Sequence, residues 1–460
     1  MNFPIALMLA SASYQTDFPP EEFRARWGKI FDKIGNEAVV AMQGVAQTRG
    51  FAMPRQTNEF YYLCGVETPH SYLRLDGRTR KATLYLPPRN ARLEAAEGKV
   101  LSADDAAEAQ RLTGVDEVLS TAAMGEGWLG TAHTIYTLLS PAEANSESRG
   151  ELAAANRAVA SDYWDGRISR EQHFASLIQN RYPRAKVMDI TPVLDELRSI
   201  KSPREIALIK RASEIAGQGL LQAMRSTRPG AYEYELDAAA RYVFLVNGAR
   251  LEGYRSITAA GTQNIANMHY YRNTSRLDGG QMVLMDYAPE YRYYTSDIGR
   301  MWPVDGKFQP AQRELLQVVL DYRNAIITRI RPGATVPQIM EEARKAMELI
   351  LAKTKFSKPA YEQAARTLIE RGGGVFSHPV GMTVHDDGDY TQGTLQPGQV
   401  FSIDPAIRVP DEQLYLRYED VVVVTGTGCE NFTAFLPSEL DDLEKTVREG
   451  GGIVQRFPPK

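Results

Sequence analysis

The stretch that most constrains this chain is residues 282–300, whose sequence is MVLMDYAPEYRYYTSDIGR and which holds two aspartates, Asp286 and Asp297. The apolar residues before Asp286 predict a buried strand, and the aromatic and apolar residues between Tyr293 and Met301 predict a second strand that returns beside it. A Pro-Glu-Tyr sequence between the two is typical of a turn. The stretch is therefore predicted to be a β-hairpin.

The two aspartates lie at equal distances from the predicted turn, whose centre falls at Tyr291 and Arg292. Residues placed in this way face each other across an antiparallel pair of strands. Both carboxylates are therefore expected on one face of the hairpin, with their Cβ atoms about 5 Å apart. Two like charges at that separation repel each other unless a cation or a proton compensates, and a divalent metal ion is the usual cation. The alternative is that one aspartate caps the turn while the other is solvated.

Length and composition exclude several classes of protein. The chain has 460 residues, enough for two or three domains. Its net charge of −4 gives no sign of a nucleic-acid partner. Its two cysteines, Cys64 and Cys429, form no Cys-x-x-Cys pattern, which argues against a zinc finger or a disulfide framework. No apolar stretch is as long as a membrane-spanning helix, so no membrane partner is expected either.

The amino terminus, MNFPIALMLASAS, has an apolar run that ends in Ala10-Ser11-Ala12 and so resembles a signal peptide. It has no Lys or Arg before that run, and the run is short for such a segment. We therefore expect a cytoplasmic protein, with export as the alternative.

The pattern of predicted elements indicates two domains and a tail. Residues 1–192 mix strand and helix signals and predict an α/β domain. After residue 192, Ser202-Pro203-Arg204-Glu205 forms a capping box with proline at the first helical position. It predicts the first helix of a second domain, which spans residues 193–449. Residues 450–460 are rich in glycine and proline and predict a flexible tail.

Local patterns predict the elements of each domain. In the first domain these are helices at 20–34 and 103–112, strands at 38–42, 60–63 and 134–139, and a hairpin of 72–75 with 82–86 around Asp76-Gly77. In the second domain they are a helix that ends at 228–230, helices near 235–247, 310–330 and 361–371, and strands near 400–403 and 417–425, besides the hairpin of residues 282–300.

Other segments of the second domain supply further residues that bind metals or transfer protons. These are His378 and His385 in the segment SHPVGMTVH, Asp404 after the strand predicted at 400–403, Glu419 at the entry to an apolar strand, and His269, 17 residues before Asp286. Taken singly, an acid at a strand end is usually solvated, and a buried histidine is usually a satisfied core residue.

Taken together, five of these residues have a composition that favours a metal site. They are Asp286, Asp297, His378, Asp404 and Glu419. Ionised carboxylates are rarely buried without a partner. Hard oxygen ligands with one histidine suit manganese or a similar divalent ion better than a structural zinc.

The order, type and spacing of these residues resemble those of the pita-bread metallopeptidases, the family of aminopeptidase P, prolidase and methionine aminopeptidase. Residues 58–69, NEFYYLCGVETP, are also similar to the amino-terminal domain of aminopeptidase P and prolidase, which methionine aminopeptidase lacks. The resemblance covers nearly the whole chain. It implies an α/β amino-terminal domain, an α+β pita-bread (creatinase/aminopeptidase) domain, and a metal-dependent exopeptidase that hydrolyses the bond before proline in short peptides.

The resemblance also implies a role for each site residue. Two divalent ions are expected, of which Asp286 chelates one, His378 and Asp404 bind the other, and Asp297 and Glu419 bridge both. Such a pair is held about 3.5–4 Å apart and generates a hydroxide that attacks the peptide carbonyl. His269 or His385 would stabilise the oxyanion, and Arg417 would orient Glu419. Manganese is the expected metal, with cobalt and zinc as alternatives, and a homodimer or larger homo-oligomer is expected.

Two positions depart from the family's pattern. The family has glutamate where this chain has Asp404, a ligand also proposed as the general base, and aspartate is shorter by about 1.5 Å. Proline-directed members have a histidine where this chain has Gly374. These departures leave two alternatives open. One is a catalytically silent binding protein on the same scaffold, and the other is a metallohydrolase of the same fold that does not require proline.

Overall fold

A computed structural model describes residues 14–47, 52–125, 127–372, 375–388 and 390–453. The signal-like run at residues 1–13, Gly374 and the part of the predicted tail beyond residue 453 lie outside these ranges. The chain divides after Leu197 into two compact units. The boundary predicted after residue 192 lies shortly before this division. None of the helices in the described ranges combines the length and the apolarity needed to cross a membrane.

Within the part of the chain that the structure describes, the first unit is built on a six-stranded mixed sheet. Its strands are β1 (Ala38–Gln43), β2 (Tyr72–Asp76), β3 (Lys81–Leu86), β4 (Glu117–Ser120), β5 (Thr134–Thr137) and β6 (Lys186–Asp189). They lie in the order β4-β3-β2-β1-β5-β6, with β2 antiparallel to both its neighbours and the other pairs parallel. The helices are α1 (Pro20–Ile34), α2 (Asn58–Cys64), α3 (Ala91–Glu97), α4 (Ala106–Thr113), α5 (Arg149–Ser161), α6 (Arg170–Arg181) and α7 (Thr191–Ser199).

Most of the elements predicted in this unit are confirmed. The helix α1, the strands β1 and β5 and the β2–β3 hairpin form where they were predicted, and α4 covers most of the helix predicted at 103–112. The strand predicted at 60–63 is wrong, because these residues belong to α2. Every residue of α2 is buried, so its sequence shows no alternation that could separate a helix from a strand. The helix ends at Gly65, which adopts a left-handed conformation with φ of 66°.

In its described residues, the second unit combines seven α-helices with short sheets. The helices are α8 (Pro203–Ser226), α9 (Glu233–Val246), α10 (Gly261–Ile265), α11 (Pro310–Ile327), α12 (Val336–Leu351), α13 (Pro359–Arg371) and α14 (Leu440–Glu449). The strands are β7 (Leu251–Glu252), β8 (Ile257–Ala260), β9 (Met282–Asp286), β10 (Pro289–Glu290), β11 (Gly299–Pro303), β12 (Phe376–Pro379), β13 (Val400–Ile403), β14 (Ala406–Val409), β15 (Leu414–Arg417), β16 (Asp420–Val424) and β17 (Cys429–Asn431).

Two sheets carry most of this unit's strands. One has the order β11-β9-β8 and the other β12-β13-β16-β17, while β10 pairs with β7 and β14 with β15. One large hydrophobic core contains buried side chains from both sheets and from the helices, such as Leu284 on β9, Val422 on β16 and Leu316 on α11. The strands are therefore fixed along their apolar lengths, and their ends are free to carry polar side chains.

The strand predicted at 417–425 is in fact two strands. β15 ends at Arg417 and β16 begins at Asp420. In the break, the backbone of Glu419 exchanges hydrogen bonds with Gly299 at N–O distances of 3.1 and 3.3 Å. The chain thus leaves its pairing with β14 and passes the start of β11 before it joins β13. A run of apolar residues on both sides of the break concealed it in the sequence.

The central hairpin is confirmed, but its register differs from the predicted one. β9 and β11 are antiparallel, and Asp286 faces Gly299 rather than Asp297. The turn lies one residue later than predicted, because Arg292 and Tyr293 form its centre with φ values of 53° and 72°. A turn of this kind usually contains Asn-Gly, so the Arg-Tyr pair carried no turn signal.

The capping box predicted at the start of α8 is confirmed. The Ser202 hydroxyl accepts a hydrogen bond from the Glu205 amide at 3.3 Å, and the Glu205 carboxylate accepts one from the Ser202 amide at 2.9 Å. The other oxygen of Glu205 accepts a hydrogen bond from the Tyr294 hydroxyl at 3.0 Å. The start of α8 is therefore tied to the turn of the central hairpin.

We expect Ser202→Ala to lower the free energy of unfolding of the second unit by about 1 kcal/mol, because the Glu205 amide loses its acceptor. Thermal unfolding followed by circular dichroism measures this change. Ser202→Asp is the control, since aspartate also caps helices and should keep the melting temperature. Equal melting temperatures for the alanine variant and the unchanged chain would contradict the proposed contribution of the cap.

Candidate active site

The ends of several strands bring the predicted carboxylates together. Asp286 is the last residue of β9, Asp404 follows β13, Glu419 precedes β16, and Asp297 lies two residues before β11. His378 lies within β12, where the pairing with β13 shifts register between Phe376 and Pro379. An irregularity of this kind re-aims a side chain. Here it directs the His378 ring toward Asp297, since Nε2 lies 3.1 Å from a carboxylate oxygen of Asp297.

Arg417 lies at the centre of the cluster and contacts three of its carboxylates. Its guanidinium forms a hydrogen bond with Asp286 and lies 3.1 Å from Glu419 and 3.3 Å from Asp404. Burial alone would lower the pKa of Arg417, but the charges of Asp404 and Asp286 raise it well above its usual value. The guanidinium is therefore charged, and it partly offsets the negative charge of the carboxylates.

Tyr254 connects the two aspartates of the hairpin, and sequence reasoning missed it. Its hydroxyl lies 2.6 Å from Asp286 Oδ1 and 2.9 Å from Asp297 Oδ1. A hydroxyl has one proton, so it donates to one carboxylate at a time. Both carboxylates thus lie within reach of one hydroxyl, although they do not face each other in the strand register. Tyr254 lies between β7 and β8 and belongs to no motif that could have singled it out.

The environment of His378 favours a cation beside it. His378 Nδ1 lies 3.0 Å from the Pro379 carbonyl oxygen, which can only accept, so Nδ1 carries the proton. In the neutral ring, Nε2 is then an acceptor that faces an acceptor oxygen of Asp297. Burial alone would raise the pKa of Asp297, but its hydrogen bond with His378 and the charge of the protonated ring lower it to about 2. A proton or a metal ion satisfies both atoms.

The cluster as a whole has too few cations for its acids. Burial raises the pKa of Asp286 to about 7. Burial, and to a smaller extent the charge of Asp297, also raise the pKa values of Asp404 and Glu419. One buried oxygen of Asp404, Oδ1, and one of Glu419, Oε2, have no hydrogen-bond partner. Glu419 Oε2 is close to Arg417 but lacks hydrogen-bond geometry with it.

These residues fit divalent metal ions. Carboxylate oxygens and a neutral imidazole are ligands of manganese and similar ions, and unpaired buried oxygens are what a bound cation would satisfy. In Asp297, His378 and Glu419, one ligand atom from each residue lies within 4.8 Å of the others. Asp286 and Asp404 adjoin this group through Tyr254 and Arg417.

A buried ionic network holds the backbone behind Glu419. Arg300 donates to the carbonyl oxygen of Glu419 at 2.6 Å and to the carboxylate of Asp420 at 2.6 Å. Arg323 donates to the second oxygen of Asp420, also at 2.6 Å. Burial alone would raise the pKa of Asp420, but Arg300 and Arg323 lower it. The network keeps Glu419 in place, and no motif in the sequence indicated it.

The two remaining histidines of the prediction differ in position. The His385 ring packs edge-on against the His378 ring, with centroids 4.4 Å apart. His269 is exposed after α10, and among the described residues no hydrogen bond or ion pair links it to the carboxylates. Its role at the oxyanion stays a prediction. Gly374, whose predicted effect concerned substrate preference, lies outside the described residues.

Comparison with known proteins places this chain in a family. The model of metallopeptidase family M24 matches residues 207–426, and the model of the aminopeptidase P amino-terminal domain matches residues 23–136. A Xaa-Pro aminopeptidase of Escherichia coli K12 is 30% identical over 447 residues, which are 92% of this chain and 97% of that protein. The chain belongs to metallopeptidase family M24, in its aminopeptidase P branch. The predicted resemblance and fold class are thereby confirmed.

Other members of the branch are similar over the same length. A Xaa-Pro aminopeptidase of Haemophilus influenzae is 28% identical over 95% of this M24 peptidase and 99% of its own length. The solved structure of proline aminopeptidase P II from Yersinia pestis has a TM-score of 0.75 at 29% identity, covering 94% of this chain and all of that one. The solved structure of Escherichia coli aminopeptidase P with the inhibitor Pro-Leu has a TM-score of 0.74 at 25% identity. It covers 95% of this chain and 99% of that one.

We expect Asp297→Asn to lose most of the divalent metal that the unchanged chain retains, because a neutral amide replaces a carboxylate that faces both His378 and Tyr254. Metal content after gel filtration, measured by mass spectrometry, tests this. Asp321→Asn is the matched control, since Asp321 is a half-buried acid on α11 that bonds to Gln317. Full metal loading of Asp297→Asn would contradict the proposed ligand set.

Proposed function

We propose that this M24 peptidase is a dinuclear Xaa-Pro aminopeptidase, which removes the first residue of short peptides whose second residue is proline. The observation that carries the proposal is the buried cluster of four carboxylates and one imidazole, in which two carboxylate oxygens lack a hydrogen-bond partner. Two relatives that match this chain over nearly its whole length are named Xaa-Pro aminopeptidases, which supports the proposed substrate class. Neither the silent binding protein nor the hydrolase without proline preference is favoured by these comparisons.

The proposed ligand set is the one that the family resemblance implies. Asp286, Asp297, His378, Asp404 and Glu419 would hold the two ions, with Asp286 on one side of the cluster and His378 and Asp404 on the other, as the resemblance implies. When bound, the two ions supply Lewis acidity at the scissile amide. The hard oxygen donors favour manganese, with cobalt and zinc as the other candidates.

Other residues of the site orient the ligands and handle charge. Tyr254 donates to Asp286 or Asp297 and so orients the carboxylate that accepts its proton. Arg417 holds Asp286, Asp404 and Glu419 through its guanidinium. The His385 ring lies against the ring of the proposed ligand His378. We assign to His385 a hydrogen bond to the carbonyl oxygen of the scissile peptide bond, where negative charge develops during the reaction. Asp404 has a free oxygen and a raised pKa, which suit the acceptance of a proton from water.

Two further expectations concern the whole protein. A homodimer or larger homo-oligomer is expected from the family resemblance, and sedimentation analysis would test it. The cytoplasmic location expected from the amino-terminal residues also stays a prediction, and fractionation of cells that express the full chain would test it.

The proposed activity is tested with manganese-loaded protein and pairs of tripeptides that differ only in proline or alanine at the second position. We expect release of the first residue from the proline peptides, with alanine peptides cleaved much more slowly. Equal cleavage of both members of each pair would favour the hydrolase without proline preference. No cleavage of any peptide by fully metal-loaded protein would favour the silent binding protein.

We expect His385→Ala to lower kcat by roughly 10²- to 10³-fold, as removal of one oxyanion donor does elsewhere. Metal content should not change, since the proposed ligands are intact. Steady-state kinetics and mass spectrometry on the same sample measure both quantities. His173→Ala is the control, because His173 lies on α6 in the first unit. Loss of metal together with activity would contradict the assigned role.

We expect Asp404→Glu to strengthen metal binding, because the longer side chain brings the carboxylate about 1.5 Å further into the cluster. Calorimetric titration of the metal-free protein with manganese measures the affinity of each site. The same change at an exposed position, Asp411→Glu, should leave both affinities unchanged. Weaker binding by Asp404→Glu would show that the cluster is shaped around aspartate.

A further inference from the structure

A second buried ionic cluster lies beside the active site, in residues that the proposed mechanism does not use. Arg198, Lys201 and Asp386 are 1%, 4% and 6% exposed. Arg198 Nη2 bonds to one oxygen of Asp386, and Lys201 Nζ lies 3.1 Å from the other. Each oxygen of this carboxylate therefore has its own cation, which fixes the rotation of the side chain. Buried charges are costly unless they are paired in this way.

The chain makes room for this cluster at Gly381. A Cβ atom at this position would lie 2.1 Å from Asp386 Oδ2, so any side chain there would displace the carboxylate. Although burial raises it, the pKa of Asp386 is lowered by Arg198 and Lys201, so the carboxylate is ionised. Glycine is thus required for the close approach of a charged group, and not for a turn.

The Asp386 carboxylate anchors the end of the segment that follows His378 and contains His385. The Asp386 amide donates to the Pro379 carbonyl oxygen at 3.0 Å, and His378 Nδ1 lies 3.0 Å from the same oxygen. Within the segment, the Gly381 amide donates to Thr383 O at 3.1 Å. The segment from 379 to 386 therefore closes on itself beside His378, with Asp386 as its anchored end.

A third contact ties this segment to the central hairpin. The Thr295 amide, two residues before Asp297, donates to the Gly381 carbonyl oxygen at 3.0 Å. His385 precedes the anchored Asp386 directly, and its ring lies 4.4 Å from that of His378. A shift of Asp386 would consequently move His385 first, while the hairpin and β12 keep the ligands Asp297 and His378 in place.

We propose that Arg198 and Lys201 are positioning residues for the reaction, which act through Asp386 to hold the His385 ring against His378. The proposal rests on the proposed function, because it assigns a catalytic consequence to the position of His385. Arg198 and Lys201 form ion pairs with Asp386, which is not one of the proposed ligands, so their removal should change turnover without removing metal.

The test uses Lys201→Met, which removes the charge and keeps most of the length of the side chain. We expect kcat to fall by about 10- to 100-fold, the usual cost of losing a group that orients an active-site residue, at unchanged metal content. Lys201→Arg keeps the charge and should restore most of the activity. Arg26→Met, which removes a buried cation that bonds to Tyr62 O in the first unit, is the control for general loss of stability.

A double-mutant cycle separates positioning from a general structural effect. If Lys201 acts through His385, then Lys201→Met added to His385→Ala should lower kcat by less than about twofold, because neighbours that act through one another are not additive. The same loss in both backgrounds would overturn the proposal. If Lys201→Met does not fold, Asp386→Asn has nearly the native volume and should give the same pattern.

A measurement without turnover distinguishes this inference from the proposed function. The chain has six histidines, so protein with ¹³C-labelled histidine gives few ring signals, and the His385 signal is the one that disappears in His385→Ala. We expect this signal to shift in Lys201→Met and not in Arg26→Met. An unshifted signal would overturn the proposal even in an active enzyme. A shifted signal in a chain that cleaves no peptide would support it and overturn the proposed function alone.

Discussion

Repulsion among the buried carboxylates of the second unit is the constraint on which the site depends. Four acids converge there, and Arg417 is the cation that contacts three of them. Burial strengthens the repulsion because it removes the screening that water provides, and it raises the pKa of Asp286 to about 7. Divalent cations relieve this repulsion and satisfy the oxygens that lack partners. The repulsion that makes the cluster unfavourable on its own is thus what would give it affinity for divalent metal.

The fold holds the acids together against this repulsion by fixing their backbones elsewhere. The strands that carry them are anchored by apolar side chains in the core of the unit. Behind the site, Arg300, Arg323 and Asp420 hold the backbone at Glu419, and Arg198 and Lys201 hold Asp386. Both groups are buried and held by ion pairs. They place ionic interactions where they rigidify the chain without competing for the metal ligands.

The sequence predicted those parts of the structure that depend on local chemistry. The capping box at Ser202 and the strands before Asp286 and Asp404 follow from residue type and spacing alone. The register of the hairpin could not be predicted, because Arg292 and Tyr293 adopt left-handed conformations without the usual residues. Tyr254, Arg300 and Lys201 were also missed, since their roles arise from contacts between residues far apart in the chain. The family resemblance supplied what spacing could not, the division of the ligands between two ions.

The most direct test is anomalous X-ray scattering from crystals of the chain grown with manganese. Data on both sides of the manganese absorption edge locate the metal without reference to activity. We expect two peaks within the cluster of Asp286, Asp297, His378, Asp404 and Glu419. A cluster without manganese, in crystals that contain the ion in excess, would contradict the proposal that cations balance these acids.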